Sequence, residues 1–319
     1  MEIHFTSSTI ALAVVKLVIL MAAGYILYLR KIINDCFVED LGQLLVKVVI
    51  PCLVASRIIM NFDYAGYSDW WRFPLFGMGY SVFGMLLGFV VSKYLVKNSP
   101  VKEFMCSVGI ENCGYLPMNL IIFAFSGEFQ NRLLIYTFLF MTGFDMLVWS
   151  VIPLFLKGDL RGSIKPGIFV TAPMIAIVFS LSWVAVFGKG NFPGLLMDPM
   201  SMIGGMGFPM GMIVLGAYLC KHKAIVPQKS TAVIASIFLK LLAFPIIMII
   251  LLHVCRVQTD VRFFLFLEAI VPTAVSLVII GAYTGADNAF FASVIFYSHL
   301  FAVFTIPLWL EFYRFIYKI

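Results

Sequence analysis

The 319-residue sequence predicts an all-α polytopic membrane protein with ten transmembrane helices in two inverted five-helix repeats. Three observations carry that expectation. The chain is 62% hydrophobic and 12% charged, with a mean hydropathy of +1.03, whereas soluble domains are about half apolar and about a quarter charged. Its apolar stretches recur at lengths near the roughly 20 residues that cross a hydrocarbon core of about 30 Å. Several short motifs also recur half a chain apart.

The first span, 8–29, holds the apolar run Ile10–Leu29, which is long enough to remain as a helix; nothing there resembles a cleavable leader. The second, 37–60, contains VIPCLV. The polar stretch NFDYAGYSDWWR (61–72) then forms a loop whose aromatic edge suits the membrane interface, and it leads into span 72–96. Span 101–125 carries the unusual run IENCGYLPMNLIIFAF. Span 131–156 ends in IPLFL, and spans 166–188 and 195–219 follow, the latter containing GFPMGM. Span 229–253 precedes 262–284, which holds EAIVPTAVSLVIIGAYTG, and the last span, 287–313, ends in IPLWL. No link is long enough to be a soluble domain.

The net charge of +6 does not point to nucleic acid, because Lys and Arg lie mainly in short links, where they set orientation. One side holds Arg30, Lys31, Lys93, Lys97, Lys102, Lys157, Arg161, Lys165, Lys221, Lys223 and Lys229; the other holds Arg57, Arg72, Arg132, Lys189, Arg256, Arg262, Arg314 and Lys318. Eleven against eight leaves both termini on the extracytoplasmic side of a cell (plasma or inner) membrane. The six cysteines (36, 52, 106, 113, 220, 255) form no CxxC and no cluster with His, so they are read as buried, reduced packing residues, with no metal site.

Pro117 and Pro272 lie 155 residues apart, as do LLGF (86–89) and LLAF (241–244). IPLFL and IPLWL are 154 apart, and Pro51 and Pro209 are 158 apart. The halves are therefore 1–159 and 160–319, each with five helices, and an odd number turns the second half upside down. Inverted repeats with matched, Pro/Gly-interrupted helices mark secondary transporters whose substrate site lies between the halves. In lipid, an interrupted helix is tolerated only where the freed backbone groups are buried or line a cavity. The fourth span offers Asn112, Gly114, Pro117 and Asn119 at such a break, and the ninth offers Pro272, Thr273 and Ser276. Half-helix N-termini at both breaks suit a carboxylate. The alternative is a pair of packing kinks.

GIENCGYLPMNL resembles the G-x-x-N-T-G-F-x-G-x-P-L stretch of the auxin efflux carrier family. GFPMGMIVLGAYL (207–219), LKLLAFP (239–245) and residues 271–310 resemble its seventh, eighth and last two helices. The resemblance implies helices four and nine crossing at their breaks at mid-membrane. It also implies a homodimerising scaffold of helices 1, 2, 6 and 7, with helices 3–5 and 8–10 as the moving domain of an elevator-type permease. The implied substrates are small organic acid anions, mono- or dicarboxylates or auxin-like acids. Asn112 matches the family Asn at the first crossover, and Pro272 marks the second. The family proline falls two places away from Pro117, and the Ser-Thr pair of helix ten is here Ser298-His299. The chain lacks the long central hydrophilic loop of the plant PIN-type carriers.

Ionisable groups at membrane depth are functional candidates. Asp145 lies four before Trp149, as a Gln does in the PIN-type fifth helix. It would repel a carboxylate unless protonated or paired with a cation, so coupling to H+ or Na+ is one reading and an ion pair with Lys47 or Lys16 the other. Lys240, well inside span eight, is read as snorkelling to the surface, with a substrate counter-charge as the alternative. Glu111 and Glu268, nearer the span ends, are expected to reach water, and His299 is expected to be a hydrogen-bonded packing residue that could also titrate. No cofactor is expected. HExxH, GxSxG and paired aspartates are absent, which argues against an intramembrane enzyme. A transporter-fold sensor stays open, and substrate flux would decide it.

Overall fold

The computed structural model describes residues 7–95, 100–158, 171–221 and 230–317, and among these the regular structure is entirely helical. Lys97, Arg161, Lys165, Lys223, Lys229, Lys318 and the expected 159/160 boundary lie outside the described residues. In chain order the helices are α1 (Ser7–Leu29), α2 (Asp35–Leu44), α3 (Ile50–Asn61), α4 (Arg72–Leu95), α5 (Val101–Gly109), α6 (Tyr115–Ala124), α7 (Gly127–Met146) and α8 (Ile152–Lys157). They continue with α9 (Ala172–Phe187), α10 (Gly194–Gly205), α11 (Gly207–Lys221), α12 (Ser230–Phe238), α13 (Phe244–Val254), α14 (Thr259–Ala269), α15 (Ser276–Thr284) and α16 (Asn288–Tyr317). Helix is the form that satisfies every backbone group within its own segment, which an apolar surround demands.

Three of these junctions are single π turns rather than breaks. Leu45–Val49 joins α2 to α3, Leu147–Val151 joins α7 to α8, and Leu239–Ala243 joins α12 to α13. Each precedes an X-Pro pair (Ile50-Pro51, Ile152-Pro153, Phe244-Pro245). A helical proline has no N–H to give and its ring collides with the carbonyl four residues back. Widening the turn by one residue relieves that collision, and the residue before each proline bonds five back instead: Ile50 to Leu45, Ile152 to Leu147, Phe244 to Leu239. The carbonyl orphaned by Pro245 belongs to Leu241, and the Trp309 indole N–H of α16 fills it at 2.7 Å.

With the π turns included, seven helical stretches among the described residues are long and apolar enough to cross a membrane. They are Leu12–Leu29, Asp35–Asn61, Arg72–Tyr94, Gly127–Lys157, Gly194–Lys221, Thr231–Val254 and Asn288–Tyr317. The chain is a multi-pass membrane protein. The other three expected spans correspond to α9, a shorter apolar helix, and to two interrupted pairs, α5/α6 and α14/α15.

Small residues set the closest helix crossings. A Cβ on Gly24 of α1 would collide with the Ile213 carbonyl of α11, and one on Gly216 of α11 with that of Met21. Gly77 and Gly143 do the same for α4 and α7, against the carbonyls of Phe140 and Pro74. Among lipid tails no hydrophobic force draws helices together, so close backbone approach through glycine is what packs them. Further packing joins α3 to α9 and α10, α4 to α5, α12 and α15 to α16, and α13 to α14. The cysteines are all free, but only Cys106, Cys113 and Cys220 are buried; Cys36 and Cys255 are exposed and Cys52 is half-buried, against the expectation of six packed thiols.

Candidate functional site

The two interrupted segments meet. Pro272 forces the second interruption: its ring forbids a helical carbonyl at Glu268, and the residue before a proline is steered out of the α region. Helix α14 accordingly ends at Ala269. In the first segment α5 ends at Gly109 and Ile110 is extended (φ −103°, ψ 105°). Pro117 stands in the first turn of α6, where no N–H is needed, and its ring excludes a helical Cys113, so α6 can begin only after Gly114. Pro117 therefore sets the start of the second half-helix and is not itself at the break, a correction of the expected role.

Each interruption supplies what the other lacks. The Asn112 N–H donates to the Pro272 carbonyl at 2.9 Å, and the Ala274 N–H donates to that of Ile110 at 2.9 Å. Glu111 and Thr273 thus face each other as an antiparallel bridge. The Thr273 hydroxyl donates to the Ser107 carbonyl at 2.7 Å, in the last turn of α5. Backbone groups without water would otherwise cost several kcal/mol each. The lock is built by residues 110–112 and 272–274, so Thr273 holds the crossing and its hydroxyl is already committed.

Asn112 is almost fully buried and its amide nitrogen lies 3.0 Å from His299 Nε2. His299 Nδ1 lies 2.8 Å from the Ile295 carbonyl. That carbonyl can only accept, so Nδ1 carries the ring proton, Nε2 is the acceptor, and the Asn112 group facing it is the NH2. One amide hydrogen is spent on His299, which leaves the second on the same nitrogen. Gly114 caps α6, and a Cβ there would press on the end of Met141 (3.1 Å), so a small residue keeps this corner open. Asn119 is buried in α6, and Ser276, the first residue of α15, is half-buried.

The charged candidates differ from expectation. Glu111, Glu268 and Lys240 are each 0% exposed, so neither glutamate reaches water and the lysine does not snorkel. Lys240 Nζ stands 3.6 Å from Glu111 Oε2 and 4.6 Å from the centroid of the Phe244 ring. Lys240 belongs to the π turn ahead of Pro245 and lies on the same buried face of the helix as Ser236 and Val233, one and two turns earlier. Asp145 is half-buried, two residues before the second π turn, with the Trp149 indole as its neighbour. Neither proposed lysine pairs with it: Lys47 is exposed and donates to Gln43 at 2.8 Å, and Lys16 stands over the Phe123 ring at 5.1 Å. Glu268 was not among the expected site residues. The signal that pointed to it was Lys240 itself, because a lysine inside a span needs buried carboxylates from other spans.

A pocket elsewhere, between α3 and α10, is lined by Leu53, Arg57, Asn61 and Ser201 among others, and it does not touch the crossing. Its Arg57 reaches Asn131 of α7 at 3.1 Å. Among the described residues no group of His, Cys, Asp and Glu could hold a metal ion. Compared with known proteins, the chain matches a family model described as membrane transport protein over residues 9–165 and 160–310. No curated protein matches it.

Proposed function

Because the chain belongs to the membrane transport protein family, that of the auxin efflux carrier-type permeases, we propose that it is a secondary transporter that moves a small organic acid anion across the cell membrane by alternating access. The family is one of transporters rather than enzymes. The observation that carries the reading to this site is the reciprocal pair of backbone hydrogen bonds between the two interrupted segments. It gives four half-helices, two of which, α6 and α15, begin beside the crossing and turn their first N–H groups toward it. Partial positive charge at these N-termini, with the second amide hydrogen of Asn112, favours a carboxylate. Gly114, Pro117 and Asn119 on one side and Pro272, Thr273 and Ser276 on the other shape this corner, while Asp145 lies on the neighbouring α7.

The scaffold in this reading is α1, α2–α3, α9 and α10–α11, which would also form a homodimer, and the remaining helices move as an elevator. Ten spans in inverted halves, 1–159 and 160–319, follow if α9 and both interrupted pairs also cross the bilayer. Binding and flux test the reading together. The purified protein in liposomes is given a panel of radiolabelled mono- and dicarboxylates, with counterflow as the assay. A hydrogen bond to a charged group is worth about 1.5–3 kcal/mol. Asn112→Ala should therefore raise the Kd of any transported acid about ten- to hundred-fold, with little loss of thermal stability. Parent-like binding by Asn112→Ala would remove Asn112 from the site, and binding without flux would favour a sensor.

A further inference from the structure

Behind the crossing lies a cluster that substrate binding leaves unused. Glu111 is in the first interruption, Glu268 in the last turn of α14 just before the second, and Lys240 in the π turn between α12 and α13. All three side chains are sealed from solvent, and among the described residues both carboxylate oxygens of each glutamate and the lysine Nζ lack a hydrogen-bond partner. The approach of Lys240 to Glu111, 3.6 Å, is an ion contact longer than a hydrogen bond. Glu268 feels both of them electrostatically.

The other titratable groups facing the cluster do not balance it. Tyr80 of α4 already gives its hydroxyl to the Leu265 carbonyl at 2.7 Å. Cys113 stands beside the glutamates, but its buried thiol is neutral and brings no positive charge to them. His299 is held by Asn112 and Ile295 and donates its one ring proton away from the glutamates. One ammonium therefore faces two carboxylates. A buried cluster with an uncompensated charge is strongly disfavoured, and it becomes neutral when one carboxylate binds one proton.

We propose that Glu111, Glu268 and Lys240 form a proton-binding site built into the crossing, in which Lys240 neutralises one glutamate and a single bound proton neutralises the other. The proposal rests on the transporter reading only for its use, as the coupling site of the cycle. When the proton leaves as H+, the carboxylic acid becomes a carboxylate, and among the described residues the loosely held Lys240 ammonium is the cation that can compensate either glutamate. Glu111 is itself part of the lock, beside Asn112, and Glu268 lies four residues before Pro272, so loss of the proton bears directly on the crossing.

The test is infrared difference spectroscopy of the purified protein between acidic and alkaline buffer, which reads the C=O stretch of a protonated carboxyl and requires no transport. Failure of the transporter reading would therefore leave this result intact. In the parent, carbon-13-labelled glutamate should shift one such band, while carbon-13-labelled aspartate should not. Either Glu268→Gln or Glu111→Gln leaves a neutral Lys–Glu pair and should abolish the band, whereas Lys240→Met leaves two carboxylates and should double it. A band that persists in Glu111→Gln at full strength would mean an isolated acid and overturn the shared site. A band that shifts with labelled aspartate would move the proton to Asp145, and a band displaced by Na+ at fixed pH would make the site a sodium site; each overturns the proposal. The labelling arm decides even if a variant fails to fold.

Discussion

His299 carries the most specific reading at the scale of single residues. A buried imidazole could be a packing group, a proton carrier or a partner to the ligand site. Its two hydrogen bonds decide among these, because the Ile295 carbonyl fixes the tautomer and the tautomer fixes which face of the Asn112 amide is turned to it. His299 is thus a positioning residue for Asn112. His299→Ala should weaken anion binding about two- to ten-fold, the equivalent of one neutral hydrogen bond of about 0.5–1.5 kcal/mol. The diagnostic measurement is the double variant with Asn112→Ala, which should bind no more weakly than Asn112→Ala alone. Additive losses would show that His299 acts independently.

The π turns explain more than the bends they make, and they belong to the scale of elements. Where a proline follows, the widened turn frees one carbonyl, and the chain must supply a donor from another helix. At Pro245 that donor is Trp309 of α16, which fixes α16 against the turn that carries Lys240. Trp309→Phe strands the Leu241 carbonyl and should cost about 1–3 kcal/mol, seen as a lower Tm in detergent. Adding Pro245→Ala restores a local N–H opposite that carbonyl and should recover part of the loss. No recovery would show that the indole matters for its packing alone.

For the whole molecule, helix packing links every element to more than one other. Helix α1 packs with α11, and α3 with α9 and α10; α4 packs with α5 and α7, α6 with α7, and α16 with α12 and α15. Further contacts set α1 against α6 and α16, and α3 against α7. These bring Lys16 over Phe123 and Arg57 to Asn131. An elevator must break and remake such contacts, so a covalent tie across them should stop it. In a variant freed of native cysteines, Arg57→Cys with Asn131→Cys joined by a short bismaleimide should bind substrate and lose counterflow, while either single cysteine should retain it. Undiminished counterflow in the crosslinked protein would mean that α3 and α7 do not move apart.

Composition alone determined that this chain inserts in a membrane as helices, since apolar runs of span length cannot satisfy their backbone in lipid any other way. The prolines and glycines also marked where the helices would be interrupted, because ring geometry and the missing N–H act locally. Asn112 was legible for the same reason, as an amide standing at such an interruption. The partners were not legible. Asn112 meets His299 and Lys240 meets Glu111 across 187 and 129 residues of chain, and only packing brings them together. Lys240 continues the buried stripe of Val233 and Ser236, and which carboxylates wait on that face was decided by the packing of α5 and α14 against it. Burial of Glu111 and Glu268 was likewise decided in three dimensions, because a carboxylate near the end of a span reaches water unless other helices close over it.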